Sequence, residues 1–431
     1  MSIGEVYMRS TWKEFKGMDL NVWIRFIGEA LNGIAMMMLM PFFALYLKDK
    51  VDSLLEVGVI IALSPIAASI GSLIGGHIAD TYGRKPTMVL SMASNGLLML
   101  FFLFIDGFIA YAILSIGLGL CNSFFEPAAS AMVTDVTEPE KRTEAYGLLR
   151  MAHNIGAAIG PIIGAAVVVV SKDVIFLITS GTMLFYTILM VLFLKETKPK
   201  NVMIHEETPE NSIRSTLRVV IRDRILLFYI VTGIIIFMGF SQSEGMLPLH
   251  FSNEKTMIFG NSNPFPYLMT LNGLLVVFFQ FPISKWLTHK SIGKSMLYGA
   301  ILFGIGLLAI GWLPKWFQVI NTNDLVILVS LLIAYTVYTL GEMIMSPVQM
   351  TFVANLAPEH LRGTYMGAAN LQWITGNILG PLLGGLLLEH LLGHILFTIL
   401  GVGCVMSGFV YLLLDKLVED RSKQIPIKQT S

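Results

Sequence analysis

Twelve apolar runs, each long enough to cross a bilayer, recur along this chain and limit what it can fold into before any motif is considered. They fall near residues 20–47, 55–79, 86–105, 108–133, 144–170, 174–194, 225–248, 265–284, 295–313, 324–352, 364–388 and 394–415. A membrane-spanning helix needs about 20 mostly apolar residues, and the charges, prolines and glycines collect in the short connections between the runs. Of the 431 residues 55% are hydrophobic and only 13% charged, whereas soluble domains carry about a quarter charged residues. Water cannot be the solvent for most of this surface. The first 19 residues mix Arg9, Lys13 and Lys16 with Glu5, Glu14 and Asp19 and offer no short apolar core with a cleavage site, so the first run is expected to remain as a span.

Basic residues resist translocation and accumulate on the cytoplasmic side. With both termini inside, 22 of the 29 Lys and Arg residues fall on the cytoplasmic face, against five on the other: Lys48, Lys50, Lys172, Lys255 and Lys315. The expectation is a multi-pass cell-membrane protein with cytoplasmic termini. Arg25 and Arg150 lie inside spans. Net charge is zero and there is no basic tract interleaved with aromatics, which argues against a nucleic-acid partner. Cys121 and Cys404 sit in spans of opposite halves and read as small buried apolar residues.

The longest polar stretch divides six spans from six. It holds Pro199, Pro209, Glu206, Glu207 and Glu210, then Arg214, Arg218 and Arg222 on one helical face. That face suits either the anionic inner leaflet or plain solvent. The expected organisation is therefore an amino-terminal bundle over 1–194, a cytoplasmic linker over 195–224, and a carboxy-terminal bundle with its tail over 225–431. An internal repeat supports it. At an offset of 220, Pro127, Arg142, Gly147, Gly156, Gly160, Pro161 and Gly164 fall on Pro347, Arg362, Gly367, Gly376, Gly380, Pro381 and Gly384. Duplicated bundles are what alternating access uses, with substrate held near the repeat interface. The fold expected is all-α and integral to the membrane: twelve transmembrane helices in two pseudo-symmetric six-helix bundles.

The connection after the second span runs from Gly76 through His77, Asp80 and Gly83 to Arg84, Lys85 and Pro86. Gly76 permits close helix approach, Asp80 ends the span with a negative charge, Gly83 supplies a tight turn, and Arg84 and Lys85 hold the loop cytoplasmic. This string resembles the loop signature of the major facilitator superfamily. In that family the matching Asp neutralises the start of span 11 and pairs with nearby Arg, latching the cytoplasmic side; the resemblance implies a gate of Gly76, Asp80, Gly83, Arg84, Lys85, Asp135 and Arg142. Span 5 carries Gly156, Gly160, Pro161 and Gly164, similar to a motif of drug/proton antiporters. Gly376, Gly380, Pro381 and Gly384 repeat it in span 11, so close helix packing explains it as well.

Tyr338-Thr339-Leu340-Gly341-Glu342 with Pro347, and the segment from Glu244 to Asn253, resemble the LmrP-like multidrug/proton antiporters over nearly the full length. There the acids matching Glu244 and Glu342 bind substrate or protons. Three departures stand out. Leu149 and Arg150 replace an acid near the start of span 5, no acid occurs from Gly401 to Phe409, and Leu114 and Gly117 occupy the stretch where many antiporters carry an Arg.

Ionisable residues inside spans cost roughly 2.5–3.5 kcal/mol on insertion scales and usually mark a pathway. Arg25, Glu29, Glu126, Arg150 and His153 are such residues in the first half, and Glu244 and Glu342 in the second. Arg25 and Glu29 are one turn apart and can pair, so a structural charge cluster competes with a proton route for the first group. His153 reads either as a proton relay or as a hydrogen-bonded interior histidine. No basic residue shares a span with Glu342 in the second half. Glu389, His390 and His394 mimic a metal motif out of order, and no metal or other cofactor is expected. Twenty-five methionines, with Asn32, Asn122, Gln242, Asn370 and Gln372, suit an adaptable cavity or, for Met, simple lipid contact.

These features predict a secondary transporter exchanging protons for a small molecule across the lipid bilayer, most simply export of lipophilic, often cationic, compounds, with no protein partner called for. An exporter of one metabolite or lipid-linked sugar fits the same fold. A membrane-embedded enzyme lacks a set of nucleophile, base and orienter in this sequence, and a receptor would bind without flux.

Overall fold

The structure is a computed structural model that describes residues 18–138, 141–198, 221–252, 256–259, 262–287, 290–320, 322–357 and 362–424. Glu5, Arg9, Lys13, Glu14, Lys16, Arg214, Arg218 and Lys255 lie outside the described residues, as do the side chains of Arg150, Glu244 and Arg362. The helices are α1 Leu20–Lys48, α2 Leu54–Tyr82, α3 Arg84–Phe101, α4 Phe108–Val136, α5 Arg142–Val170, α6 Lys172–Phe193, α7 Arg224–Glu244, the one-turn α8 Leu247–His250, α9 Phe265–Leu287, α10 Ile292–Val319, α11 Asp324–Leu356, α12 Arg362–Glu389 and α13 Gly393–Gln424. Among the described residues nine of these are long and apolar enough to span a membrane. Of the other long helices, α3 is diluted by Arg84, Lys85 and Asn95, while α5 and α9 carry shorter described apolar stretches, Ile159–Val168 and Phe265–Gln280. Large side chains including Phe101, Ile109, Leu192 and Phe278 stand exposed on the helices, as apolar surface facing lipid would.

Two ends differ from the sequence expectation. The seventh run, read as one span to residue 248, breaks at Gly245, the cap that follows α7, and resumes as α8. Pro248 lacks the N–H that an unbroken ladder would need and is placed in the first turn of the new helix, where that N–H is dispensable. The last helix, expected to end near 415, continues to Gln424.

Contacts divide the chain into two compact units. One holds the described residues of 18–39 and 66–198; the other holds 40–65 with the described residues of 221–424. In the first, α1 and α5 meet backbone to backbone, since a β-carbon on Gly156 would stand 2.6 Å from the Gly33 carbonyl carbon. Asn95 of α3 donates to Asn122 of α4 at 3.1 Å, and the Ser180 hydroxyl of α6 donates to the Gly96 carbonyl at 2.7 Å. Phe102 stacks on both Tyr111 and Phe176.

In the second unit the repeated glycines do the same job. A β-carbon on Gly376 of α12 would meet Phe237 of α7 at 2.4 Å, and one on Gly380 would crowd Ser241 and Met238. Tyr229, Phe352 and Tyr411 fill the core beside them. The first part of α2 belongs here too: Gly58 lies against the Pro381 carbonyl, Gly385 against that of Leu54, and the Leu54 N–H donates to the Glu389 carboxylate at 2.5 Å.

Candidate functional site

Three groups of sequence-singled residues assemble, two in the first unit and one in the second. At the linker ends of the first-unit helices, Gly83 takes the left-handed φ of +108° between α2 and α3, a conformation glycine adopts without strain. That turn brings Arg84 back over the end of α2. Its guanidinium pairs with Asp80 one turn earlier and donates through Nε to Asp135 of α4 at 3.3 Å. Thr197 donates to the same Asp135 oxygen at 3.2 Å. Lys85 reaches the Val191 carbonyl of α6, while Arg142 bonds the Thr134 and Thr137 carbonyls at the end of α4. The structure thus joins Asp80, Arg84 and Asp135 and sends Lys85 and Arg142 to backbone partners.

Sequence reasoning missed Glu196. Its carboxylate accepts the N–H groups of Arg84 and Lys85 at 3.0 and 3.1 Å, and also those of Thr197 and Lys198. Gly83 has no side chain to cap α3, so an acid from beyond α6 does it, at the end of the helix where negative charge is favoured. Partial burial works against its ionisation, but the backbone donors win and hold the carboxyl below the usual glutamate range.

Deeper in the first unit, Arg25 of α1 is 3% exposed. It pairs with Glu29 on its own helix and with Glu126 of α4 at 3.0 Å, and its guanidinium lies 5.1 Å from the Phe125 ring centre. His153 of α5 brings Nδ1 to 3.3 Å from Glu29. One buried cation therefore organises two carboxylates from two helices, and half-exposed His153 joins at the second oxygen of Glu29.

The third group lines a cavity of about 350 Å³ in the second unit. Glu342 of α11 is the one charged side chain among the described residues lining it, beside Phe237, Phe240, Gln372 and Trp373. Asn272 of α9 donates one amide to both Glu342, at 3.0 Å, and Thr339, at 3.1 Å. Gln349 and Gln372 are buried at the edge of the cavity, and Gln372 donates to the Tyr229 hydroxyl at 3.1 Å. Asn370 and Gln372 were among the polar span residues picked from sequence; Asn272, Gln349 and Tyr229 were not. An amide such as Asn272 inside an otherwise apolar run was the available signal. Glu244 closes α7, and its side chain is outside the described residues. Glu389 and His394 turn to different partners, the Leu54 N–H and the Lys315 ammonium. The two cysteines are free.

A helical plan of this kind, with polar side chains gathered inside apolar bundles, defines a polytopic membrane protein. The family model described as Major Facilitator Superfamily matches residues 25–373 and again 259–430, and the chain belongs to that superfamily. It is similar to a Na(+), Li(+), K(+)/H(+) antiporter of Planococcus maritimus, 25% identical over 95% of this chain and 99% of that one. It is also similar to the multidrug resistance protein MdtH of Salmonella typhimurium, 24% identical over 84% of this chain and 85% of that protein. Among solved structures, the nucleoside transporter NupG superposes with a TM-score of 0.77 at 11% identity, covering 92% of this chain and all of that one. A POT family transporter in complex with 5-aminolevulinic acid gives 0.73 at 15%, with 92% and 96% covered. Such likenesses show the fold. The relatives and fold neighbours are transporters, not enzymes.

Proposed function

We propose that the chain is a proton-coupled antiporter that exports lipophilic, often cationic, compounds by alternating access. In this reading two six-helix bundles, 1–194 and 225–431, rock about their interface, joined by a linker over 195–224 on the cytoplasmic face with both termini. The observation that carries the reading is the cavity around Glu342. Its walls offer aromatic and methionine surface for an apolar body, amides for orientation, and one carboxylate for charge. A carboxylate in a site that alternately dries and wets holds either a proton or a cation, and that mutual exclusion is the least an antiporter needs. Glu244 is assigned to substrate range and proton entry, and the groups at Asp80 and at Arg25 to gating and to the proton route.

A second reading, exchange of alkali cations for protons, draws support from the antiporter relative matched along almost its whole length. One assay separates the two. Purified protein in liposomes under an imposed pH gradient is expected to drive uphill movement of lipophilic cationic dyes. Dye movement unaffected by collapsing the gradient would overturn proton coupling, and sodium, lithium or potassium flux without dye flux would select the second reading.

A further inference from the structure

A second cavity, of about 320 Å³, lies in the second unit at the helix ends remote from the linker. Lys48 from the end of α1, Lys315 from α10, His250 of α8 and His394 at the start of α13 line it, and no carboxylate does among the described residues. The two histidines have partners of their own. His250 donates Nε2–H to the Ile310 carbonyl at 3.2 Å and packs against Phe397. His394 accepts at Nε2 from the Lys315 ammonium at 3.0 Å. Lys315 otherwise rests 5.6 Å from the centre of the Trp312 ring, so both its partners are uncharged. Glu389, the acid beside this cavity, is turned to the Leu54 N–H.

Two features say what kind of anion belongs there. Leu249 and Leu391 contribute apolar wall. Trp312 and Trp316 stand 41% and 61% exposed on the same end of α10, and exposed indoles collect at the headgroup level of a bilayer. Two lysine charges facing one cavity would repel the ammonium of a zwitterionic headgroup and attract a headgroup whose phosphate is its only charge. We propose that this cavity binds the phosphate of an anionic phospholipid, with Lys48 and Lys315 as its cationic contacts and the leucines against its glycerol and acyl portion.

The proposal stands apart from the transport reading and is tested without transport. Full-length protein in detergent micelles is supplied with equal amounts of phosphatidylglycerol and phosphatidylcholine, and retained lipid is counted by native mass spectrometry. Wild type is expected to keep phosphatidylglycerol preferentially. Each lysine near a membrane surface is worth about fivefold in anionic-lipid affinity, so Lys48→Gln with Lys315→Gln should lower retention by an order of magnitude or more. The charge-preserving Lys48→Arg with Lys315→Arg should keep it, as should Lys285→Gln with Lys290→Gln at the other end of the helices. Equal retention by wild type and the double Gln variant, or equal loss in the Lys285/Lys290 control, would overturn the site. Displacement by inorganic phosphate without any preference for phosphatidylglycerol would overturn the lipid as its source.

Discussion

The two interior acid sites solve the problem of charge in a membrane in opposite ways. In the first unit Arg25 is buried and answered by Glu29 and Glu126, so the buried cation is compensated locally by a three-group network spanning α1 and α4. In the second, Glu342 borders a cavity and is met by the neutral amide of Asn272. A compensated network is costly to disturb and gains little by changing protonation. A carboxylate at a cavity wall, held by an adaptable amide, can exchange its proton for an arriving cation. On the proposed antiport reading, the contrast makes Glu342 the main coupling acid and leaves the Arg25 group a secondary proton route that also serves as scaffold.

The largest expected effect is on coupling. Glu342→Gln keeps the shape and can still meet Asn272, but it cannot carry charge. Uphill efflux under a pH gradient should fall to the level of protein-free liposomes while downhill exchange persists. If full uphill transport survives, the assignment is reversed and Glu29 and Glu126 become the coupling acids.

The mirror experiment is Arg25→Met. Removing one partner of a buried ion pair typically costs about 3–5 kcal/mol because the remaining charge is stranded; Glu126 is 66% exposed at its side chain, so Glu29 bears most of the penalty. Thermal unfolding in detergent should show a large loss of stability, and Arg25→Met with Glu29→Gln should recover much of it. A stable single variant that fails only in transport would move this network from scaffold to proton route.

How much of this was legible beforehand follows the range of each interaction. The spans, the Arg25–Glu29 pair, the Asp80–Arg84 pair and the Gly156 to Gly164 repeat are local in sequence, with spacings of one helical turn or a simple motif, and periodicity exposes them. The contacts of Glu126, Glu196, Asn272 and Asp415 are made across the fold, between segments far apart in the chain. No spacing announces them. Gly245 and Pro248 sat in plain view, yet hydropathy alone ran straight through the break they make in α7.

The gate gives a smaller effect. Asp80 is 55% exposed at its side chain, and ion pairs in that setting are worth about 1 kcal/mol or less. With Asp80→Asn, Arg84 retains Asp135. Transport is therefore expected to drop several-fold rather than vanish, with substrate binding nearly intact and the outward-facing population reduced. Spin-label distances across the linker-side helix ends report that population, and identical distributions in wild type and variant would rule the latch out.

The smallest effect compares the two units at a feature they share. Glu196 caps the start of α3 from beyond α6, and Asp415 of α13 caps the start of α10, accepting the Gly293 N–H at 2.7 Å. In each half the last helix of the six, or the chain just past it, supplies the acid. Cap replacements near the surface cost roughly 0.5 kcal/mol, the low end of the range for helix caps, so Glu196→Gln and Asp415→Asn should each lower the unfolding midpoint slightly and, sharing no partner, additively. Glu196 adds a pH signature with a definite sign. Its folded carboxyl is held below the unfolded value, so its contribution is present above the unfolded pKa and is lost as pH falls through the folded one. The stability gap between wild type and Glu196→Gln should therefore close on acidification below the usual glutamate range. A gap that stays constant into acid would mean that the cap acts through shape alone, and that its charge contributes nothing at the start of α3.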